Sequence, residues 1–418
     1  MKPDRGLFYG WVIILASFLT LFVATGARSS IGVFVKPLGD EFAWSRADIS
    51  LAMSVHTLVQ GVSQPLIGYW ADRYGPRLVI GFGLLALGAG MALLSLTFAI
   101  WQLYVFYGVL VALGFAGGAM VPNAALINRW FVKRRGFAIT MANTGASLGQ
   151  LVLIPLAALL IVNAGWRWAY LGLGLLVLAV ASPVVWGMMR NSPADLGLLP
   201  DGMSISEAAG SVHLRILRTP LGEVLRDRSF WMLTIALMFC GFTVNMVTVH
   251  LASYALERGL SQIAAGSAVG LLGGMGLVGM LIAGTASDRL GRKNPLAVIY
   301  LIRAVGLILL VSMSGERAFF TAVALVGLSF TVPATLTSAL LADKYGSLSV
   351  GKLYGLVIMA HQAVGALGVY LGGFFFDLNG TYFWIFLATA LATLAGAFSV
   401  YLVRETREPL VPVLVLKE

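Results

Sequence analysis

About twelve long stretches without charged residues recur along the chain, separated by short breaks that contain polar residues, Arg, Gly or Pro. A helix needs about 20 mostly apolar residues to cross the hydrocarbon core of a bilayer, because about 1.5 Å per residue must cover about 30 Å. Barrel strands would be about ten residues long with alternating polarity, and this pattern does not occur. We therefore predict an all-α membrane protein with twelve transmembrane helices. The predicted spans are approximately 9–35, 47–70, 78–98, 101–127, 137–161, 167–189, 229–256, 262–286, 295–314, 318–341, 352–376 and 381–403.

The composition agrees with this class, because 59% of the residues are hydrophobic and only 11% are charged. A water-soluble protein could not bury so much apolar surface. The first apolar stretch is too long for a signal peptide and has no small-residue cleavage site, so we predict that it is retained. The single cysteine, Cys240, excludes an intramolecular disulfide framework. The sequence has no zinc or haem spacing and no nucleophile–base pair, so we expect neither a cofactor nor an enzyme.

The formal charge of +10 does not come from one basic patch. Most Lys and Arg residues fall in loops on the side that carries both termini. The positive-inside rule then predicts that both termini are cytoplasmic, in a protein of the cell (inner) membrane. The lipid bilayer is the expected partner, nucleic acid is not, and we expect a monomer. Five basic residues fall on the opposite side: Lys36, Arg46, Arg167, Arg258 and Arg317.

The apolar pattern is interrupted once at greater length, between residues 190 and 228. This segment contains Ser, Pro, Gly and charges of both signs, which is typical of a linker. We predict an N-terminal six-helix bundle at 1–190, a cytoplasmic linker at 191–228, and a C-terminal six-helix bundle with a short tail at 229–418. The motif GYWADRYGPR at 68–77 recurs in shortened form as GTASDRLGR at 284–292. Parallel repeats of this kind predict a substrate path at the interface between two pseudo-symmetric halves.

The repeated motif has the residue types of a gate between the two halves. Its glycines allow close helix packing, while its Asp and Arg residues can cap helix termini or pair across the face that carries the termini. We expect these residues to close that face and not to bind the substrate. The predicted gate residues are Gly68, Asp72, Arg73, Arg77, Arg135, Asp288, Arg289 and Arg292.

The two motif copies resemble the signature loop of the major facilitator superfamily, and this resemblance covers essentially the whole chain. The stretches YGWVIILASF, SIGVFVKPL, RWFVKRRGFAITMANTGASLGQ and FFFDLNGTYFW resemble the monocarboxylate transporter family and its bacterial relatives, including oxalate/formate exchangers. The resemblance implies the transport of small carboxylates, with a proton or by exchange. It also implies an anion-binding Arg in the eighth span, but the matching position here is Met280.

Arg28 is the leading candidate for the missing anion ligand. It lies in the outer part of the first span beside Ser29, and a guanidinium can clamp a carboxylate with two parallel hydrogen bonds. Charged groups inside a bilayer usually face a cavity or a partner. The alternative is that Arg28 extends to the lipid headgroups.

Other polar residues within the spans are candidates for the same site. We predict substrate binding by Asn143, Ser147, Asn245, His250 and His361 in addition to Arg28 and Ser29. Asn143, Ser147 and Gln150 share one face of the fifth span, which suits a cavity or a helix interface. For His56 and His361, a structural hydrogen bond between helices is the alternative, and for His250 the alternative is an interfacial histidine without a ligand. Arg303 in the ninth span is the weakest candidate, and packing or contact with headgroups is favoured there.

No Asp or Glu lies deep within a predicted span, so the titratable candidates for proton coupling are His56, His250 and His361. We predict a secondary transporter that moves a small organic anion by alternating access with proton coupling. Anion exchange is the first alternative. A drug or metabolite exporter is another, although the lack of deep carboxylates argues against cationic cargo. A membrane sensor would be expected to carry an additional cytoplasmic domain.

Overall fold

The computed structural model describes residues 8–131, 135–200, 221–345 and 350–403, with the side chains of Asp72, Arg135, Asp288, Arg289 and a few others outside the description. Each of the twelve predicted spans corresponds to a helical segment. We number them α1 Gly10–Phe42, α2 Arg46–Tyr74, α3 Pro76–Leu94, α4 Ile100–Trp130, α5 Arg135–Ala164, α6 Trp166–Met188, α7 Arg228–Glu257, α8 Gln262–Leu290, α9 Lys293–Ser312, α10 Glu316–Leu328 with Val332–Tyr345, α11 Val350–Asn379 and α12 Phe383–Tyr401.

Eleven segments of the described chain are long and apolar enough to cross a membrane. Helix α2 is not among them, although it is 29 residues long. It carries polar residues along its length, including His56, Gln60 and Gln64. Because α2 packs along α11, we infer that these polar residues are accommodated inside the protein. Helix α1 extends beyond the predicted span as far as Phe42, and Ala43 then ends it with a φ of 54°.

Helices α1 and α5 approach each other more closely than side chains normally permit. A methyl group on Gly145 would lie 2.2 Å from the carbonyl oxygen of Phe18, and one on Gly149 would lie 2.1 Å from that of Phe22. The two glycines are four residues apart and therefore lie on one face of α5. Small residues at this spacing let the backbones of membrane helices pack directly together. The pair thus fixes the position of α1, which carries Arg28.

The helices alternate between two faces of the molecule. We call the face where α1 begins and α12 ends the terminal face, and the opposite face, which carries Trp44 and Asp377, the distal face. The halves α1–α6 and α7–α12 meet where α2 packs along α11 and α5 packs along α8. The exact domain boundaries, with a linker at 191–228, stay a prediction, since residues 201–220 lie outside the described chain.

Hydrogen bonds between the two halves are concentrated near the distal face. The Asp377 carboxylate accepts the backbone N–H groups of Arg46 at 3.1 Å and Ala47 at 2.7 Å, and so caps the start of α2 from the other half. Ser54 donates to the Ala366 carbonyl, and Gln262 donates to the Val33 carbonyl. Among bonds between described residues, none joins the halves at the terminal face. The structure therefore has its distal face closed.

The Asp377 cap gives a prediction about this closure. An anion at a helix N-terminus contributes about 0.3 to 2 kcal/mol, so Asp377→Asn should increase opening of the distal face about 2- to 30-fold. The measurement is the rate at which a membrane-impermeant maleimide, added at the distal face, labels Ser29→Cys in a Cys240→Ser background. Asp40→Asn is the matched control, because Asp40 is paired with Lys36 on its own helix. Equal labelling in both variants would contradict the capping role.

At the terminal face, Asp227 ties the start of α7 to the end of α10. Its carboxylate accepts from the Ser229 N–H at 2.8 Å and the Tyr345 hydroxyl at 3.0 Å, and lies 2.9 Å from the Lys344 ammonium. Burial raises the pKa of Asp227, but the hydrogen bonds from these three residues outweigh it and hold this pKa below its ordinary value. Ionised Asp227 therefore stabilises the folded protein.

The direction of the Asp227 shift predicts how stability depends on pH. A carboxyl whose pKa is lowered by folding contributes fully above its ordinary pKa of 3.8, and this contribution is lost as pH falls through the folded-state value. We expect Asp227→Asn to lower the melting temperature by roughly 2 °C at pH 7 and to have no effect at the lowest accessible pH. Melting curves of both proteins from pH 7 downwards measure this. If the difference in melting temperature between the two proteins grew as the pH fell, ionised Asp227 would not be the stabilising form.

Candidate functional site

A small cavity lies between the two halves, at the level of Arg28. Its volume is about 10 Å³, which is room for about one water molecule. Helices α1, α2 and α4 of the first half and α7 of the second contribute to its wall. The lining residues are Arg28, Ser29, Ile31, Met53, His56, Thr57, Tyr107, Asn245, Thr248 and Val249.

Arg28, His56 and Tyr107 form a closed ring of hydrogen bonds at this cavity. The Arg28 Nε–H donates to His56 Nε2 at 3.1 Å, and the Tyr107 hydroxyl donates to the Arg28 carbonyl at 3.2 Å. His56 Nε2 is thus an acceptor, so the ring proton is on Nδ1 and is donated to the Tyr107 carbonyl at 3.0 Å. This geometry fixes the neutral form and one tautomer of His56.

The guanidinium of Arg28 points into the protein and not toward the lipid headgroups. Its carbon lies 5.0 Å from the Phe115 ring centroid, over an aromatic face that attracts cations. Within the described part of the chain, no carboxylate forms a salt bridge with Arg28, and no hydrogen bond is made by its two Nη groups. No Asp or Glu is found among the described buried side chains. The cavity therefore contains a positive charge with two unused donor groups.

The sequence explains part of this arrangement. Helix α1 has a local irregularity at Ser30, just after Arg28 and Ser29. Residues Tyr104–Val111 of α4 form a wider helical turn, and such turns often occur at functional sites. Tyr107 lies in this turn, within the apolar stretch YVFYGVLV. Nothing in the apolar sequence indicated its role, and Thr57 was missed as well.

The predicted substrate residues divide into two groups. Arg28, Ser29 and Asn245 line the cavity, and so does the proton-coupling candidate His56. The other four lie elsewhere in this conformation: Asn143, Ser147, His250 and His361. Their proposed roles in substrate binding remain predictions.

Three of the four outlying residues, Ser147, His250 and His361, contact other helices. Ser147 and Gln150 meet Gly273 of α8, and Asn143 is half-buried on the same helix. His250 is fully buried, with its Nε2 2.9 Å from the Val369 carbonyl of α11. The Nδ1 of His361 lies 3.0 Å from the Gln362 side chain. Helix packing, the alternative interpretation of Ser147 and His361, describes their contacts here.

The predicted gate residues Gly68, Arg73 and Arg77 contact residues of their own half. Arg77 donates to the carbonyls of Val185 and Trp186 at the end of α6, and Arg73 donates to the Tyr69 hydroxyl on its own helix. Gly68 faces Val121 of α4. Arg292 is half-buried, and the side chains of Asp72, Arg135, Asp288 and Arg289 lie outside the described part. The role of these residues as a gate therefore stays a prediction.

Arg303, the weakest candidate, is 1% exposed inside the second half. Its Nε donates to the Ser329 hydroxyl at 3.0 Å, its Nη1 to the Cys240 sulfur at 3.2 Å, and its Nη2 to backbone carbonyls of α10 residues. These bonds join α7, α9 and the bend in α10. The Arg303 side chain therefore packs within the second half, which is one of the two roles favoured for it from the sequence.

The chain is similar in sequence to known membrane transporters. The family described as Major Facilitator Superfamily matches residues 17–330 and 277–415. An uncharacterized MFS-type transporter of Bacillus subtilis, YcxA, is 28% identical over 89% of this chain and 90% of its own length. Human monocarboxylate transporter 11 is 28% identical over 95% of this chain and 83% of its own. The oxalate:formate antiporter of Oxalobacter formigenes is 25% identical over 96% of this chain and 93% of its own.

Solved structures resemble this chain over nearly its whole length. A bacterial homologue of the human lysosomal transporter Spinster superimposes with a TM-score of 0.76 at 17% identity, over 95% of this chain and 97% of that one. The predicted all-α transporter fold with two six-helix halves is therefore confirmed, as is the resemblance to monocarboxylate and oxalate:formate transporters. The relatives are transporters and not enzymes, as the sequence indicated.

Proposed function

The chain belongs to the major facilitator superfamily and is an integral membrane transporter; on this premise we propose that it is a secondary carrier of a small monocarboxylate-type anion. The observation that carries this proposal is Arg28, a cation at the interface between the halves whose two Nη groups have no hydrogen bond with a described residue. A carboxylate can accept from both Nη groups in parallel while Nε stays bonded to His56. Binding would then neutralise the charge of the cavity.

The names of the relatives support the same class of substrate. One is a monocarboxylate transporter and another is an oxalate:formate antiporter. Both names describe small carboxylates. The missing Arg at Met280 means that this chain must supply its cation elsewhere, and Arg28 does so from α1.

The small size of the cavity supports alternating access. About 10 Å³ is too little for a carboxylate, so α7 must move away from α1 to admit one. Release of the Asp377 cap would open the distal face, and the two motif loops would then close the terminal face. In this proposal both termini are cytoplasmic in the inner membrane, as the distribution of basic residues favours.

Proton coupling is proposed to act through His56. A proton on His56 Nε2 would face the Arg28 Nε–H, so the hydrogen bond between them would be lost and two positive charges would lie side by side. A bound carboxylate offsets this repulsion, so proton and anion favour each other's binding. If His56 stays neutral throughout the cycle, exchange of one anion for another is the remaining mechanism, because Arg28 would always be occupied when the halves move.

The proposal is tested by uptake into proteoliposomes. We expect saturable uptake of at least one of labelled formate, acetate, lactate or pyruvate, and no uptake of a labelled sugar or a lipophilic cation. A pH gradient, acidic outside, should increase the initial rate. Indifference to the gradient, with dependence on an internal carboxylate, would indicate exchange instead. Uptake of lipophilic cations alone would contradict the anion assignment and favour an exporter.

A further inference from the structure

Four buried polar atoms near the distal face lack a hydrogen bond of normal geometry, and of these only the Ser253 and Tyr382 hydroxyls lie close enough to interact with each other. They are Arg46 Nη1, His250 Nδ1, Ser253 Oγ and Tyr382 OH. His250 and Tyr382 are 0% exposed and Ser253 is 4% exposed. Buried polar groups are nearly always paired with protein, water or a bound ion, because an unpaired group loses its hydration without compensation. Arg46 Nη1 and His250 Nδ1 are left without any partner, which makes this cluster a candidate for a bound ligand.

The four groups belong to one connected cluster. The Arg46 guanidinium carbon lies 5.5 Å from the Phe376 ring centroid, and Tyr382 stacks on the same ring with centroids 4.4 Å apart. The centroid of Tyr382 is 5.2 Å from that of His250. Ser253 follows His250 by about one turn of α7 and shares its face. The cluster thus joins α2 of the first half to α7, α11 and α12 of the second.

The chemistry of the cluster suits an anion. Arg46, Ser253 and Tyr382 offer N–H or O–H donors. The His250 Nε2 lies 2.9 Å from the Val369 carbonyl and must donate to it, so Nδ1 of the neutral ring is a free acceptor. A proton on Nδ1 would make it a fourth donor. We propose that this cluster binds a small hydrogen-bond-accepting anion, a carboxylate or chloride, together with a proton on His250.

The charged groups around the cluster leave the positive charge of Arg46 available to an anion. Arg46 from α2 interacts electrostatically with both His250 and Tyr382, while Asp377 of α11 and Glu257 of α7 lie near Tyr382. The Asp377 carboxylate bonds the backbone N–H groups of α2, and Glu257 bonds Thr381 and Tyr382 N–H. Both acids are therefore engaged with backbone or hydroxyl groups, and no described ion pair involves the Arg46 side chain.

The position of the cluster gives it a place on the transport route. Val249 lines the Arg28 cavity and the next residue of α7, His250, belongs to the cluster. An anion that enters at the distal face would meet Arg46 before Arg28. The cluster is thus a distal anion site in series with the Arg28 site. Anion binding at the cluster does not depend on the proposed function. Only the passage of the bound anion onward to Arg28 rests on that function.

The experiment measures anion binding to the full-length purified protein after the Arg28 site has been removed. We expect sodium formate to raise the melting temperature of Arg28→Gln by about 2 °C or more relative to an equal concentration of sodium gluconate, a much larger anion. The increase should be greater at pH 5.5 than at pH 8. An equal effect of sodium chloride would identify the occupant as an ion of the medium. An effect of formate alone would identify a carboxylate site.

The second substitution assigns the effect to the cluster. Arg28→Gln combined with Arg46→Gln or Tyr382→Phe should lose the response, and the Phe variant keeps the ring that stacks on Phe376. The matched control is Arg28→Gln combined with Arg258→Gln, which should keep the rise in melting temperature on addition of formate. Arg258 lies at the same end of α7 but is hydrogen-bonded to Tyr254, Leu310 and Val311. No response in Arg28→Gln, or a response that survives loss of Arg46 and of Tyr382, would overturn the proposal. Identical responses of the wild type and Arg28→Gln would instead count against the proposed function.

Discussion

Replacement of Arg28 by Gln should reduce carboxylate uptake at least about 30-fold in proteoliposomes. The loss of one partner of a buried hydrogen-bonded charge pair typically costs 2 to 5 kcal/mol. Gln keeps most of the length of the side chain but offers neither a charge nor the paired Nη donors. Arg28→Lys should fall between the two, because a lysine restores the charge without the bidentate geometry. The initial rate of uptake of a labelled carboxylate measures both effects.

Arg258→Gln is the control for this prediction. It removes one positive charge from the distal part of α7, outside the lining of the Arg28 cavity, and should leave uptake within about 2-fold of wild type, as expected for a weakly coupled charge. Each variant must show the same melting profile in gluconate as the wild type. If Arg28→Gln and Arg258→Gln transport equally well, the substrate does not depend on Arg28.

Gly149→Val should prevent stable assembly of the first half. The added side chain would begin 2.1 Å from the Phe22 carbonyl oxygen, so α1 and α5 would have to separate along their contact. Overpacking of this kind costs 1 to 3 kcal/mol or more, and the contacted atom is backbone, which cannot rotate away. We expect a melting temperature lower by at least about 2 °C, or no monodisperse protein. Gly145→Val should behave in the same way.

The matched control is Gly355→Ala in α11, where an added methyl group would meet nothing within 4 Å. Alanine is favoured over glycine within helices by about 1 kcal/mol, so this variant should be as stable as the wild type or more so. Gly149→Ala gives a graded test, because its single methyl group already makes the 2.1 Å contact. Wild-type stability in Gly149→Ala would show that α1 and α5 are not in direct backbone contact.

The fold could be predicted from the sequence because each apolar segment must be long enough to cross the bilayer. Periodic breaks and the repeated motif gave the helix count and the two halves. The extension of α1 to Phe42 was missed, since Lys36, Asp40 and Glu41 interrupt the apolar pattern. These residues form polar contacts outside the apolar stretch, such as the Lys36–Asp40 pair and the bond from Arg167 to Glu41. Hydropathy marks where the lipid ends but not where a helix ends.

Individual residues of the site could be predicted from the sequence, but the contacts between them could not. Arg28 and His56 were both singled out, but their hydrogen bond depends on how α1 packs against α2 and cannot be derived from spacing. Tyr107 contributes a backbone carbonyl as well as a hydroxyl, and a carbonyl has no signature in the sequence. His250 follows Val249, which lines the cavity, but one step along a helix turns a side chain by about 100°. It therefore faces α11 and α12 instead.

The most direct test of the Arg28 site is a structure of the full-length protein determined with a carboxylate that it transports. We expect the carboxylate oxygens to lie about 2.7 to 2.9 Å from the two Nη atoms of Arg28, with the Nε–H still donated to His56. Density for the carboxylate between the halves but away from Arg28, or an Arg28 side chain turned toward the lipid headgroups, would contradict this site.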